Sequence, residues 1–185
     1  MKSVTLSIDG KEVKAKEGMT ILEAAKQAGI EIPTLCYHEG LEPYGACRVC
    51  SVEIERKGKT QIVASCCYPA EEGLKVKTNS DKITKIRKII IELLLPLSPT
   101  GPILGLAQKY GVEKSRFPSK RTDCILCGLC VRYCAEIKGE NAVTFVGRGA
   151  NKKIALVPEK AGVCAICRGC YNLCPGGKIV DETAV

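Results

Sequence analysis

The sequence predicts an α+β protein in three parts: a small sheet domain over residues 1–80, a helical connector over 81–120 and a cysteine-rich domain over 121–185. Three observations carry this. Short alternating apolar runs separated by turn pairs fill the first part. One apolar helical pattern followed by a proline-rich stretch fills the second. Two copies of one cysteine spacing fill the third.

In the first part Val4, Leu6 and Ile8 alternate with polar residues, as a half-buried strand requires, and Asp9-Gly10 turns the chain into a return strand with Val13 and Ala15. Thr20 and Glu23 form a capping-box pattern ahead of a short helix that presents Ile21, Leu22, Ala25 and Ala28 and stops at Gly29. Pro33 blocks its continuation. A long loop carries Cys36, Tyr37, His38, Cys47 and Cys50. Val52 and Ile54 open a hairpin that turns at Lys57-Gly58-Lys59 and returns through Ile62-Val63 to Cys66, and Leu74 to Lys77 supplies a last strand. Strand–strand–helix, cysteine loop and closing hairpin is the element order of a β-grasp ferredoxin.

Ser80 or Asp81 caps the next helix, which places Ile83, Ile86, Ile90 and Leu93 or Leu94 on one face, with Ile91 and Leu95 widening it. The wide face suits burial between the two cysteine domains or contact with another subunit. The Lys82–Lys88 charges are expected on its solvated face. Residues 96–120, with Pro96, Pro99, Gly101, Pro102 and Pro118, form an irregular connector with one short helix near Leu104–Tyr110. Beyond Arg121, Ala142–Val146 and Ile154–Val157 read as short strands around a Gly147–Gly149 turn. That turn lacks the spacing of a phosphate loop.

Composition narrows the chemistry. Thirteen cysteines in 185 residues, with two Phe, six Tyr and no Trp, must be explained by something other than aromatic packing. No apolar leader is visible after Met1, so a cytoplasmic location is expected, where thiols stay reduced and metal ligation is the leading account. The longest apolar segment, around Ile89–Leu95, is too short to span a bilayer, so no direct membrane insertion is expected. The formal charge of +8 invites a nucleic-acid reading. Twelve ligating thiolates and three oxidised iron–sulfur cores would bring it to about +2, and no basic stripe interleaved with aromatics is evident, so no nucleic-acid partner is expected.

Cys124, Cys127, Cys130 and Cys134 read C-x2-C-x2-C-x3-C, and Cys164, Cys167, Cys170 and Cys174 repeat it before Pro175. This run holds pairs of [4Fe–4S] cubanes, the fourth cysteine of each run ligating the other cluster. One cubane is then assigned to Cys124, Cys127, Cys130 and Cys174, and the other to Cys134, Cys164, Cys167 and Cys170. Structural zinc prefers two separated C-x2-C pairs and fits this run poorly. Cys36, Cys47, Cys50 and Cys66 also offer a central C-x2-C with one thiol on either side. By spacing they suit either [2Fe–2S] or zinc. Cys67 is expected to be a small, partly buried structural residue, and His38, two residues from Cys36, a hydrogen-bonding or titrating neighbour.

Leu35-Cys36-Tyr37-His38, Pro43 through Cys50, Val63-Ala64-Ser65-Cys66 and Phe145 through Gly149 resemble one family over nearly the whole chain. It is the iron–sulfur region shared by the N-terminus of [FeFe]-hydrogenases, the small diaphorase subunit of NAD-reducing hydrogenases and the large iron–sulfur subunit of respiratory complex I. The resemblance implies a [2Fe–2S] cluster on Cys36, Cys47, Cys50 and Cys66 and supports both cubane assignments. Such proteins commonly insert a module in which one His and three Cys hold a further cubane. Leu93–Tyr110 here has neither residue, so that cluster is expected to be absent. No hydrogenase catalytic domain is expected within the 185 residues, and no flavin or nucleotide fingerprint is visible. The expected function is therefore an electron-transfer subunit without a catalytic site of its own. It would carry three clusters between a flavin- and NAD(P)-binding subunit and a hydrogenase or formate dehydrogenase type catalytic subunit, in a setting that can be electron-bifurcating. A freely diffusing polyferredoxin-like carrier and a zinc-binding interaction module are the alternatives.

Overall fold

A computed structural model describes residues 2–99, 101–119 and 121–179. The chain divides into two units. The first holds the residues up to Thr34 together with Pro43–Ile90. The second holds Leu35–Glu42 and the described residues from Ile91 onward.

The first unit is a five-stranded sheet with one helix across it. β1 (Ser3–Ile8) and β2 (Lys11–Lys16) pair antiparallel around Asp9-Gly10, both left-handed as a two-residue hairpin turn demands. The alternation places Leu6 and Ile8 from β1 and Val13 and Ala15 from β2 in the core. α1 (Ile21–Gln27) begins at a complete capping box: Glu23 N donates to Thr20 Oγ1, and Thr20 N donates to Glu23 Oε2 at 2.7 Å. It buries Ile21, Leu22, Ala24 and Ala25, and Gly29 beyond it takes the left-handed conformation that ends a helix.

β3 (Ser51–Arg56) and β4 (Lys59–Ala64) form the second hairpin, and β5 (Lys75–Lys77) lies between the hairpins. It runs parallel to β1 and antiparallel to β3, giving the order β2-β1-β5-β3-β4. This is the β-grasp arrangement that the element order predicts.

α2 (Asp81–Leu94) is capped by Ser80, whose Oγ accepts from Ile83 N. Its buried stripe departs from the expected one: Ile83, Arg87 and Ile91 are buried, while Ile89 and Leu93 are exposed. Lys82, Lys85 and Lys88 do face solvent. Arg87 does not, because its guanidinium is consumed by backbone carbonyls.

In the second unit α3 (Gly101–Lys109) buries Ile103 and Ala107. The connector is pinned through its backbone: Leu97 O accepts from both Thr122 N and Asp123 N at 2.9 Å, and Ser98 Oγ donates to Gly176 O. Gly176 has no room for a side chain, since a Cβ would fall 2.4 Å from Asp123 O. α4 (Leu129–Arg132) continues into a π-helical turn over Tyr133–Ile137. β6 (Val143–Val146) pairs antiparallel with β7 (Lys153–Leu156), and α5 (Ala161–Cys167) precedes a 3₁₀ turn over Tyr171–Leu173. The core gathers Cys130, Cys134, Cys164 and Cys170 around Ala142, Val143, Ile154 and Ile179.

Candidate functional site

All thirteen cysteines stand as thiols rather than disulfides. In the first unit, strand register sets two of them. Ser51 pairs with Ala64 at the end of the β3–β4 ladder, so Cys50, just before β3, and Cys66, two residues past β4, come together. Their sulfurs lie 3.4 Å apart, both buried, and Cys47 is buried in the same unit. Ser65 Oγ donates to Cys50 O at 2.8 Å, fixing the approach. The Cys66 thiol is pushed far up, first by its hydrogen bond with Cys50 and then by burial. Thiols crowded this way ionise only when a cation joins them, which is what iron supplies.

Cys67 departs from expectation. It is exposed rather than partly buried, with its sulfur 3.5 Å from that of Cys66. It also limits Gly45, where a Cβ would lie 2.9 Å from the Cys67 sulfur and the backbone is already left-handed.

Arg87 belongs to this site although periodicity assigns it to solvent. Its Nε donates to Val49 O at 3.1 Å and its Nη2 to Ser51 O at 2.8 Å, the carbonyls on either side of Cys50. Its Nη1 reaches Asn79 Oδ1 at 3.2 Å. Only the planar guanidinium fork can grip two carbonyls of one loop at once. The signal in the sequence was its place between Ile83 and Ile91, four residues from each.

In the second unit, Cys36 is buried within Leu35–Glu42. His38 does not reach outward from this loop: its Nδ1 accepts from Gly40 N at 3.1 Å, closing a tight turn. Of the eight remaining ligand candidates, four are raised by burial and by neighbouring thiols. The Cys127 thiol is pushed up to about 12, mainly by burial, with Cys174, Cys124 and Cys36 adding to it. Cys130 is raised by burial and by Cys127, Cys170, Cys174 and Cys124. Cys164 is raised by burial, Cys134 and Cys167, and Cys170 is pushed up to about 11 by burial, Cys164, Cys134 and Cys167. Cys134, Cys164, Cys167 and Cys170 also line one recess, together with Tyr133, Ala142 and Val143.

Backbone amides point at two of these sulfurs: Ala142 N donates to Cys134 Sγ at 3.1 Å and Leu126 N to Cys124 Sγ at 3.4 Å. The chain bends sharply to bring the thiols round. Leu126, Gly128 and Arg168 are all left-handed, and Gly128 and Arg168 occupy the same place in the two repeats, directly after Cys127 and Cys167. A non-glycine residue held there stores strain of about 1–2 kcal/mol, and such strain gathers at functional sites. Gly169 admits no Cβ, which would fall 2.6 Å from the Tyr133 hydroxyl. Among the described residues no three His, Cys, Asp or Glu side chains converge on a point that one metal ion could occupy. Cys134, Cys164, Cys167 and Cys170 are instead spread around one shared recess. That donor set fits cubane clusters, whose irons are met by one thiolate each.

Comparison with known proteins agrees with this chemistry. Residues 1–81 match a family described as a 2Fe-2S iron-sulfur cluster binding domain, and residues 117–180 match the ferredoxin-like domain of NADH-quinone oxidoreductase subunit 3. The NADPH-Fe(3+) oxidoreductase subunit alpha of Geobacter sulfurreducens is 38% identical over 205 residues, covering 97% of this chain and 24% of that one. The NADH-ubiquinone oxidoreductase 75 kDa subunit of Reclinomonas americana is 33% identical, with 97% of this chain and 29% of that one covered. The chain thus spans about a quarter of the length of these relatives. Among solved structures, a chain of NAD+-reducing [NiFe]-hydrogenase in the H2-reduced state superposes with a TM-score of 0.73 at 31% identity, over 84% of this chain and 76% of that one.

Proposed function

This chain belongs to the iron–sulfur family that joins a 2Fe-2S cluster binding domain to the ferredoxin-like domain of NADH-quinone oxidoreductase subunit 3, and we propose that it is an electron-relay subunit. Iron–sulfur clusters supply one-electron chemistry when bound. Cys36, Cys47, Cys50 and Cys66 would hold a [2Fe–2S] cluster. Cys124, Cys127, Cys130 and Cys174 would hold one [4Fe–4S] cluster, and Cys134, Cys164, Cys167 and Cys170 the other.

The observation that carries this reading is that Cys134, of the first run, lines one recess with Cys164, Cys167 and Cys170 of the second, while Cys174, of the second run, acts on Cys127 and Cys130 of the first. The sets also give the relay an order. Cys36 acts on the Cys127 thiol, and Cys170 on that of Cys130. In this reading the path from the [2Fe–2S] ligands to the far cubane would run without the His/Cys-ligated cluster, since Leu93–Tyr110 has neither His nor Cys. The relatives match over 205 residues against a chain of 185, consistent with extra residues on their side.

The relatives are named as NADPH-, NADH- and NAD+-linked oxidoreductases, one of them a hydrogenase; the partners proposed for this chain are a flavoprotein handling NAD(H) or NADP(H) and a catalytic subunit of hydrogenase or formate dehydrogenase type. Ile89, Leu93, Leu104 and Phe117 leave apolar surface on and beside α2 and α3, which suits a permanent subunit better than a free carrier. Among the described residues no helix is long and apolar enough to cross a membrane.

Anaerobic iron and sulfide analysis with EPR of the reduced protein tests the reading. Three clusters require about ten iron atoms per chain. A value near eight removes the [2Fe–2S] site, and a colourless zinc protein removes the proposal. Cys47→Ser should abolish only the [2Fe–2S] signal. Cys134→Ser should damage the cubane of Cys164, Cys167 and Cys170, and loss of the Cys124 cluster alone would overturn the crossed ligation.

A further inference from the structure

The loop that carries Cys36 is gripped at both ends by two side chains four residues apart. Arg132 Nη2 donates to Cys36 O at 2.8 Å, and its Nη1 donates to Glu42 O at 2.5 Å. Glu136 Oε2 accepts from Glu42 N at 2.9 Å. All three bonds engage the loop's backbone, so they fix its path whatever its side chains do. Arg132 closes α4, two residues after Cys130 and two before Cys134, which the ligand sets assign to different cubanes. The chain passes from α to π helix immediately after it.

The Cys36 held by these contacts is among the groups that act on Cys127. Electron tunnelling weakens steeply with separation, so whatever fixes Cys36 relative to Cys127 and Cys130 sets the transfer rate between the clusters they hold. A lysine could satisfy one carbonyl at a time; the guanidinium spans Cys36 O and Glu42 O together.

We propose that Arg132 is a positioning residue for electron transfer between the [2Fe–2S] cluster and the Cys127–Cys130 cubane, clamping the Cys36–Glu42 loop from the helix that carries Cys130. This rests on the ligand sets proposed above. In the step itself one electron leaves one cluster and one arrives at the other; no bond forms or breaks, and no proton moves. Arg132 ligates no iron.

The test uses the full chain with its clusters loaded, comparing Arg132→Gln, Arg132→Lys and Glu136→Gln with the parent. Iron content comes first. The magnetic interaction between the two reduced clusters is then read by EPR, and the arrival of an electron at the cubane by freeze-quench after rapid reduction of the [2Fe–2S] cluster. Arg132→Gln should keep its iron, lose most of the interaction and slow arrival severalfold. Arg132→Lys should recover part of both, and Glu136→Gln should move both least. Full iron with unchanged interaction and rate in Arg132→Gln overturns the proposal. If Arg132→Gln loses iron, Arg132→Lys decides by the same two readings. Cys36→Ser with an intact [2Fe–2S] signal would instead take away the ligand set, an outcome separate from any effect at Arg132.

Discussion

Cys50 and Cys66 stand at the end of a six-pair strand ladder, whereas the cysteines of the second unit sit on or beside segments of three to seven residues. The first arrangement has its own frame: a five-stranded sheet, a capped helix and a buried arginine hold the ligand loop. The second has a two-stranded sheet and helices far below the length at which a helix is stable alone. Its core is built largely from the thiols themselves. The difference teaches that the first unit has a frame independent of its thiols, whereas in the second unit cluster binding would be part of the folding free energy.

The comparison breaks or stands first on iron removal. Anaerobic chelation should raise amide exchange across 124–174 towards unfolded-chain values, while β1 to β5 change by less than about tenfold. Hydrogen-exchange mass spectrometry reads both regions at once, and a sheet that melts with the iron would erase the distinction. A smaller effect should come from the frame itself. Arg87→Met leaves the carbonyls of Val49 and Ser51 without their donor and should cost about 1–3 kcal/mol in urea unfolding of the first unit. No loss there would mean that the loop around Cys50 holds itself. The smallest is Thr20→Ala, which removes one side of the capping box and should cost about 1 kcal/mol without altering any cluster signal.

Features set by nearest neighbours in the chain were legible in the sequence. The Thr20–Glu23 box, the Asp9-Gly10 turn, the two strands flanking Gly147 and the α3 helix each follow from a few adjacent residues, and each is present. What was not legible depends on partners far along the chain. A charged residue in an apolar stripe reads as solvated until the carbonyls of Val49 and Ser51, 38 and 36 residues away, are seen to receive it. The same reason hid Arg132, whose acceptors lie 96 and 90 residues upstream. Cys67 lies in the turn that follows β4, where its N donates to Ala64 O, so no strand alternation announces its exposure.

The pairing of Ser51 with Ala64 carries a consequence for how the protein matures. A slip of one residue turns a whole strand's side chains to the opposite face. A misregistered β3–β4 hairpin would therefore part Cys50 from Cys66 and offer iron no pair of thiols. Metal loading would then proofread the hairpin: chains that pair wrongly would stay empty, and only the correctly aligned ones would be sealed by a cluster held between Cys50 and Cys66.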